Sequence, residues 1–130
     1  SIIEKETNQD SEKPKMAGAL LNRLRIGMPL QADPTVVFAT GDFSTKRVLN
    51  KQLEYDSPYN TYMYRGLPPG PIAMASIASI DAILNADNHK YLYYCAKGDG
   101  SGLHNFATNL SSHNRNSRIY AQNLRKRGKR

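Results

Sequence analysis

The chain has 130 residues, 39% of them hydrophobic, which suits a single domain with one modest core. No apolar run reaches the roughly 18 residues of a membrane span, and the lone cysteine, Cys95, rules out an internal disulfide and a cysteine-rich zinc site. The net charge of +7 is uneven: residues 1–65 carry nine Lys/Arg against eight Asp/Glu, and residues 66–130 carry nine against three.

The chain opens on Ser1-Ile2-Ile3-Glu4-Lys5-Glu6, already in a helical pattern, and shows no secretory leader. The expectation is an N-terminally truncated polypeptide. A helix end is predicted from Ile2 to about Gln9. Ser11 is placed to cap the next helix, with Pro14 in its first turn, where a missing N–H costs little. Met16, Ala17, Leu20, Leu21 and Leu24 then recur at three- and four-residue spacing, and Gly27 and Pro29 end that amphipathic helix. Asp33-Pro34 starts a short helix through Val37 or Phe38, with Gly41 as its stop. Residues 41–58 read as loop with one turn of helix. Ser57–Pro71, rich in Pro, Gly, Tyr and Asn, reads as an ordered loop. Ile77, Ile80, Ile83 and Leu84 mark a helix ending near Asp87-Asn88. Tyr91–Ala96 and Leu103–Thr108 are strand-like runs, and the glycine-rich segment 97–102 between them predicts a β-hairpin. Cys95 in the first run reads as a small buried apolar residue. Leu110–Leu124 is a final, polar helix. The expected fold is α+β, a helix-rich single domain with a small antiparallel hairpin. The basic tail, residues 115–130, reads either as a solvated, fraying terminus or as a contact for an anionic polymer.

One carboxylate stands out. At about 100° per residue, Glu6 falls about 40° from Ile2 and 60° from Ile3, on their apolar side, whereas Glu4 lies about 200° away. Desolvation beside those isoleucines favours the protonated form of Glu6 and raises its pKa. A carboxylic acid that keeps its proton near neutrality is what glycosidic bond cleavage requires. His89, His104 and His113 lack metal-ligand spacing, Gly98–Gly102 does not open a helix as a phosphate cradle does, and Asp99, Ser101 and His104 crowd one turn too closely for a nucleophilic triad. No cofactor or metal is expected.

Ordered motifs along nearly the whole chain support the same residue. Ser1-Ile2-Ile3-Glu4-Lys5-Glu6-Thr7, Asn22-Arg23-Leu24-Arg25-Ile26-Gly27-Met28, Leu30-Gln31-Ala32-Asp33-Pro34-Thr35-Val36, Tyr59-Asn60-Thr61-Tyr62, Gly66-Leu67-Pro68-Pro69-Gly70-Pro71-Ile72, Gly98-Asp99-Gly100 with His104 and Phe106, and Ser112-His113-Asn114 appear in sequence. Their order and spacing resemble the MltG/YceG-like endolytic lytic transglycosylases, with departures at Ala32, Met74 and Gly41–Leu53. The resemblance implies that Glu6, the second glutamate of Glu-Lys-Glu-Thr, is the catalytic acid/base. It also implies cleavage of the MurNAc-β-1,4-GlcNAc bond of peptidoglycan with 1,6-anhydro ends. Candidate substrate-binding residues are Gln31, Asp33, Thr35, Tyr59, Asn60, Tyr62 and His104. Gln31 can bond an acetamido group or orient Glu6, the two tyrosines can stack on sugar rings, Asn60 can read an amide, and His104 can reach substrate from the hairpin. For the Tyr59–Tyr62 segment, simply holding the loop in shape is an equal reading, and a structural role is open for His104. Asp33 is either a helix cap or the second carboxylate of a hydrolytic muramidase. A non-catalytic peptidoglycan-binding module and a nucleic-acid-binding module are further alternatives, although the basic tail lacks interleaved aromatics and no nucleic acid is expected as a partner. The resemblance further implies peptidoglycan glycan strands as partner, contact with peptidoglycan synthases, a LysM-like domain and membrane anchor upstream, and a place at the periplasmic face of the cytoplasmic membrane.

Overall fold

The structure is a computed structural model that describes residues 1–44 and 48–128. In chain order it contains α1 (Ile2–Glu6), a 3-10 turn (Asp10–Glu12), α2 (Lys13–Arg25), α3 (Asp33–Thr40), a second 3-10 turn (Gln52–Glu54), α4 (Ile77–Leu84), β1 (Tyr93–Ala96), β2 (His104–Ala107) and α5 (Leu110–Lys126). This is the helix-rich α+β arrangement expected. The two strands form an antiparallel hairpin in which Tyr94 faces Phe106 and Ala96 faces His104. The loop between them closes with the Lys97 N–H donating to the Leu103 carbonyl at 2.9 Å. Both strands are shorter than the sequence suggested, though the Leu92 N–H still donates to Ala107.

The core is built around α2. Met16, Ala17 and Leu20 meet Ile2 and Ile3 from α1, Leu30 and Ala32 from the next loop, and Ala82 from α4. Tyr94 and Phe106 of the hairpin pack against its edge. Met16 is fully buried, and α1, only five residues long, is held by this tertiary burial because so short a helix has no stability alone.

Several boundaries differ from the sequence expectation for identifiable reasons. α1 stops at Glu6 instead of Gln9, because Thr7 is extended (φ −145°, ψ 143°) and turns its hydroxyl to Glu12 at 2.6 Å. Ser11 lies inside the 3-10 turn and does not cap α2, whose N-cap position is Glu12. Gly41, at φ 74°, does end α3 as a left-handed stop, two residues later than Phe38. The largest departure is α4. Ile77, Ile80, Ile83 and Leu84 locate the helix correctly, yet they are 78, 50, 44 and 74% exposed. The buried face is instead Ser79 and Ala82. Small residues let α4 approach closely, and Ser79 supplies a hydroxyl that Glu4 of α1 needs.

α5 is capped by Asn109, whose side chain accepts from the Ser112 N–H. It packs along the hairpin, with His113 stacked on Tyr93 (5.1 Å between rings) and Asn123 donating to the Lys97 carbonyl at 2.7 Å. The basic segment is helical to Lys126, and Arg127 donates to the Gly98 carbonyl. Lys129 and Arg130 of that segment, and residues 45–47 of the loop after α3, lie outside the described residues. Among the described residues no helix is long and apolar enough to cross a membrane.

The segment leading into β1 is strapped along α2. Asn22 donates to the carbonyls of His89 and Tyr91, both at 2.9 Å, and the Asp87 N–H donates to Pro14. Gly18 makes this approach possible: a Cβ there would lie 2.4 Å from the Asp87 carbonyl oxygen and 2.7 Å from His89 Nε2. Gly18→Ala is therefore expected to lower the unfolding free energy by about 1–3 kcal/mol, despite alanine's better helix propensity, as read by urea denaturation.

Candidate active site

Glu4 and Glu6 sit on opposite faces of α1 and meet different surroundings. Glu4 accepts from the Ser76 N–H (2.9 Å) and the Ser79 hydroxyl (2.7 Å), with the Lys13 ammonium at 3.7 Å. These donors hold its carboxyl down at about 2. The Ser1 hydroxyl accepts from the Ile72 N–H, so the start and the middle of the helix are tied to the 72–79 segment.

Glu6 faces the other way, at the meeting point of two clefts. One, of about 450 Å³, runs past Lys5, Val37, Phe38 and Phe43. The other, of about 330 Å³, is lined by Gln31, Tyr62, Tyr94, Cys95 and His104. Both include Glu6, Asp33, Val48 and Tyr120. Removal from water pushes the Glu6 carboxyl up to about 7. Tyr94 pulls against that rise, Asp33 adds to it by like-charge repulsion, and Arg23 opposes it. The Tyr94 hydroxyl is buried without a hydrogen-bond partner of ordinary geometry, yet it is near enough to favour the ionised form of Glu6. Burial and the facing Glu6 charge in turn raise the Tyr94 phenol well above its ordinary value, so it keeps its proton.

Arg23 lies beneath this floor. Its guanidinium donates to the Leu92 carbonyl at 2.6 Å and to the Leu30 carbonyl, and it sits over the rings of Tyr93 and Tyr94 at 5.6 and 5.4 Å. It ties the Gln31 loop to the hairpin while carrying a positive charge under the cleft.

Of the residues singled out from sequence, Glu6, Gln31, Asp33, Tyr62 and His104 share the second cleft. Gln31 is exposed with φ 50°, a conformation rare for a non-glycine residue, and its N–H donates to the Thr61 carbonyl. Asp33 is the first residue of α3, but it caps no backbone group: the N-cap position is Ala32, and the Asp33 carboxylate accepts from the Tyr62 hydroxyl. Thr35 and Asn60 are closed to a ligand, each fully buried. Thr35 donates to the Ala32 carbonyl and pairs with Thr61. Asn60 donates to the carbonyls of Leu53 and Tyr55 and accepts from the Tyr62 N–H. Their polar atoms are spent on fixing the loop that carries Tyr62. Tyr59 packs on Phe38 at 4.8 Å and lines neither cleft. Cys95 is only half-buried and edges the second cleft, so it is no core residue. Ser101 and His104 have separate partners, Asp99 and Glu12. Among the described residues no group of three His, Cys, Asp or Glu is arranged to hold a metal ion.

Sequence reasoning missed Tyr94, Arg23, Glu12 and Tyr120. Arg23 and Tyr94 lay within segments already picked out, but nothing in periodicity indicates that a strand tyrosine and a helix arginine converge on residue 6. Glu12 lies outside every motif and periodic run, so the sequence carries no signal for it.

Comparison with known proteins identifies the family. The model of the YceG-like family matches residues 1–119. The chain is 46% identical over 120 residues to a Bacillus subtilis protein named endolytic murein transglycosylase, covering 92% of this chain and 32% of that one. A Streptococcus pneumoniae protein of the same name is 32% identical over 120 residues, covering 89% and 22%. The crystal structure of a yceG-like protein from Listeria monocytogenes superimposes with a TM-score of 0.83 at 42% identity, covering 88% of this chain and 37% of that chain. The chain thus spans about a third or less of the length of these curated relatives.

Because the folded pKa of Glu6 lies above its ordinary value, the folded state holds a proton that the unfolded chain releases between about pH 4.5 and 7. Stability contributed by the neutral acid is complete below that window and is lost as pH rises through it. Glu6→Gln removes this loss. The stability difference between Glu6→Gln and wild type is expected to grow by up to about 3 kcal/mol from pH 4.5 to 7.5, measured by chemical denaturation across pH.

Proposed function

The chain belongs to the YceG-like family, and on that footing we propose that residues 1–130 form the catalytic domain of an endolytic murein transglycosylase with Glu6 as its single acid/base. The observation that carries this reading is a carboxyl pushed up to about 7 at the junction of two clefts, where a polymer can extend to either side.

The chemistry has two halves. Glu6 first gives its proton to the oxygen bridging N-acetylmuramic acid and N-acetylglucosamine, and the C1–O bond breaks as the sugar gains oxocarbenium character. The muramic acid C6 hydroxyl then attacks C1, its proton passes to the Glu6 carboxylate, and a 1,6-anhydro ring closes. No water is consumed, and Glu6 ends protonated as it began. Burial favours the acid in the first half. Tyr94 and Arg23, which favour the carboxylate, act in the second. Asp33 supports the acid form by repulsion while its own carboxylate is engaged by Tyr62. Gln31, exposed on its strained turn, and Tyr62 flank the bound sugar. Action on murein places the enzyme outside the cytoplasm. A single-pass anchor at the cytoplasmic membrane and contact with peptidoglycan synthases belong to the same reading.

Mass spectrometry of purified glycan strands tests it. Wild type is expected to leave 1,6-anhydro ends, and Glu6→Gln is expected to lower product formation by about 10²–10⁴-fold. Reducing ends would instead mark a hydrolase using Asp33 as its second carboxylate. The rate should decline as pH rises through about 7, where Glu6 loses its proton.

A further inference from the structure

Outside the residues assigned above, one buried acid is wired directly into the cleft wall. Glu12, 8% exposed, is an acceptor at both oxygens. Its Oε1 accepts from the His104 backbone N–H at 2.9 Å. Its Oε2 accepts from the Thr7 hydroxyl at 2.6 Å and lies 2.6 Å from His104 Nδ1. The Thr7 hydroxyl oxygen already accepts from the Gln9 N–H, so its own proton goes to Glu12. Two fixed donors, the Thr7 hydroxyl and the His104 N–H, already converge on this carboxylate as acceptor, and an acceptor oxygen 2.6 Å from Nδ1 assigns the ring proton to Nδ1, so that a neutral imidazole carries its lone pair on Nε2. His104 lines the same cleft as Glu6, and its ring meets Tyr94 edge-on at 6.1 Å. Thr7 directly follows Glu6. A single carboxylate therefore holds both the residue next to the acid/base and the opposite wall of the cleft.

We propose that Glu12 is a positioning residue that fixes the tautomer and orientation of His104, so that Nε2 is presented to the cleft as acceptor for a hydroxyl or acetamido N–H of the sugar bound beside Glu6. The inference rests on the saccharide-cleaving reading of the site. It explains why a costly buried carboxylate is placed where a simple apolar contact would join α1 to the hairpin. It also makes the hairpin a working wall of the site, where the sequence left His104 between a substrate contact and a structural role.

Glu12→Gln is close to isosteric. Its amide can donate to Nδ1 and drive the ring to the Nε2–H tautomer, as an amide does when it replaces the aspartate beside a catalytic histidine. His104→Asn keeps an N–H directed at Glu12 and deletes Nε2. Nitrogen-15 NMR of the His104 ring is expected to show Nδ1–H in wild type and Nε2–H in Glu12→Gln. Glu12→Gln also turns an amide N–H toward the Thr7 hydroxyl that donates to Oε2, so a lowered melting temperature is expected for it, whereas His104→Asn should stay near wild type. Both variants should lose on the order of tenfold or more in glycan cleavage. Titrating glycan strands into wild type should shift the Nε2 resonance. An Nε2–H ring in wild type overturns the proposal, as does a folded Glu12→Gln with reversed tautomer and undiminished turnover. If Glu12→Gln does not fold, His104→Asn decides: unchanged turnover refutes an Nε2 contact. A wild type that forms no anhydro ends defeats the transglycosylase reading separately. The Nε2 resonance then decides for Glu12, since a shift on glycan binding supports the proposal and an unmoved one overturns it.

Discussion

Two glutamates, two residues apart on one short helix, cannot share an environment. The angle between positions 4 and 6 sends one into a nest of donors and the other against apolar walls. Glu4 is held down at about 2 by Ser76, Ser79 and Lys13, and in return it anchors α1 to the α4 segment. Glu6 is lifted to about 7 by loss of water. Helix geometry thus sends the two carboxylates into opposite surroundings, and the packing around α1 keeps five residues of helix from turning. Ile2 and Ile3 are sunk in the core, and Ser1 and Thr7 are bonded at either end.

The polar groups around Glu6 form a balance in which no single partner dominates. No direct ion pair to Arg23 quenches the acid, because the guanidinium is occupied by backbone carbonyls and aromatic faces. Tyr94 stands near enough to favour the charge on Glu6 while it keeps its own proton. Asp33 repels from across the cleft. Such an arrangement suits a group that must release and regain one proton within a cycle, since a strong fixed partner would commit it to one state.

Rigidity is supplied from below by small and polar residues used as spacers. Gly18 lets the 87–92 strap lie on α2, Ala82 and Ser79 let α4 approach, and Thr35, Thr61 and Asn60 lock the loop that delivers Tyr62. Several conspicuous motif residues therefore work by never meeting a ligand. Their role is to set the position of a neighbour that lines the cleft.

The sequence alone determined the helix order, the hairpin, the α+β class, and the separation of Glu4 from Glu6, because each follows from local periodicity or turn chemistry that needs no distant partner. It also placed Gln31, Asp33 and Tyr62 as candidates through ordered motifs. The tertiary structure alone decided which face of α4 is buried, since close packing against α2 rewards Ser79 and Ala82 over the larger Ile77 and Ile80. It likewise decided that Thr35 and Asn60 are spent internally, and that Glu12, Arg23 and Tyr94 converge on the cleft from three separate elements. Most of those outcomes depend on groups distant in the chain, 26 positions apart for Thr35 and Thr61, 69 for Arg23 and the Leu92 carbonyl and 92 for Glu12 and the His104 N–H, and no short window along the chain contains those meetings.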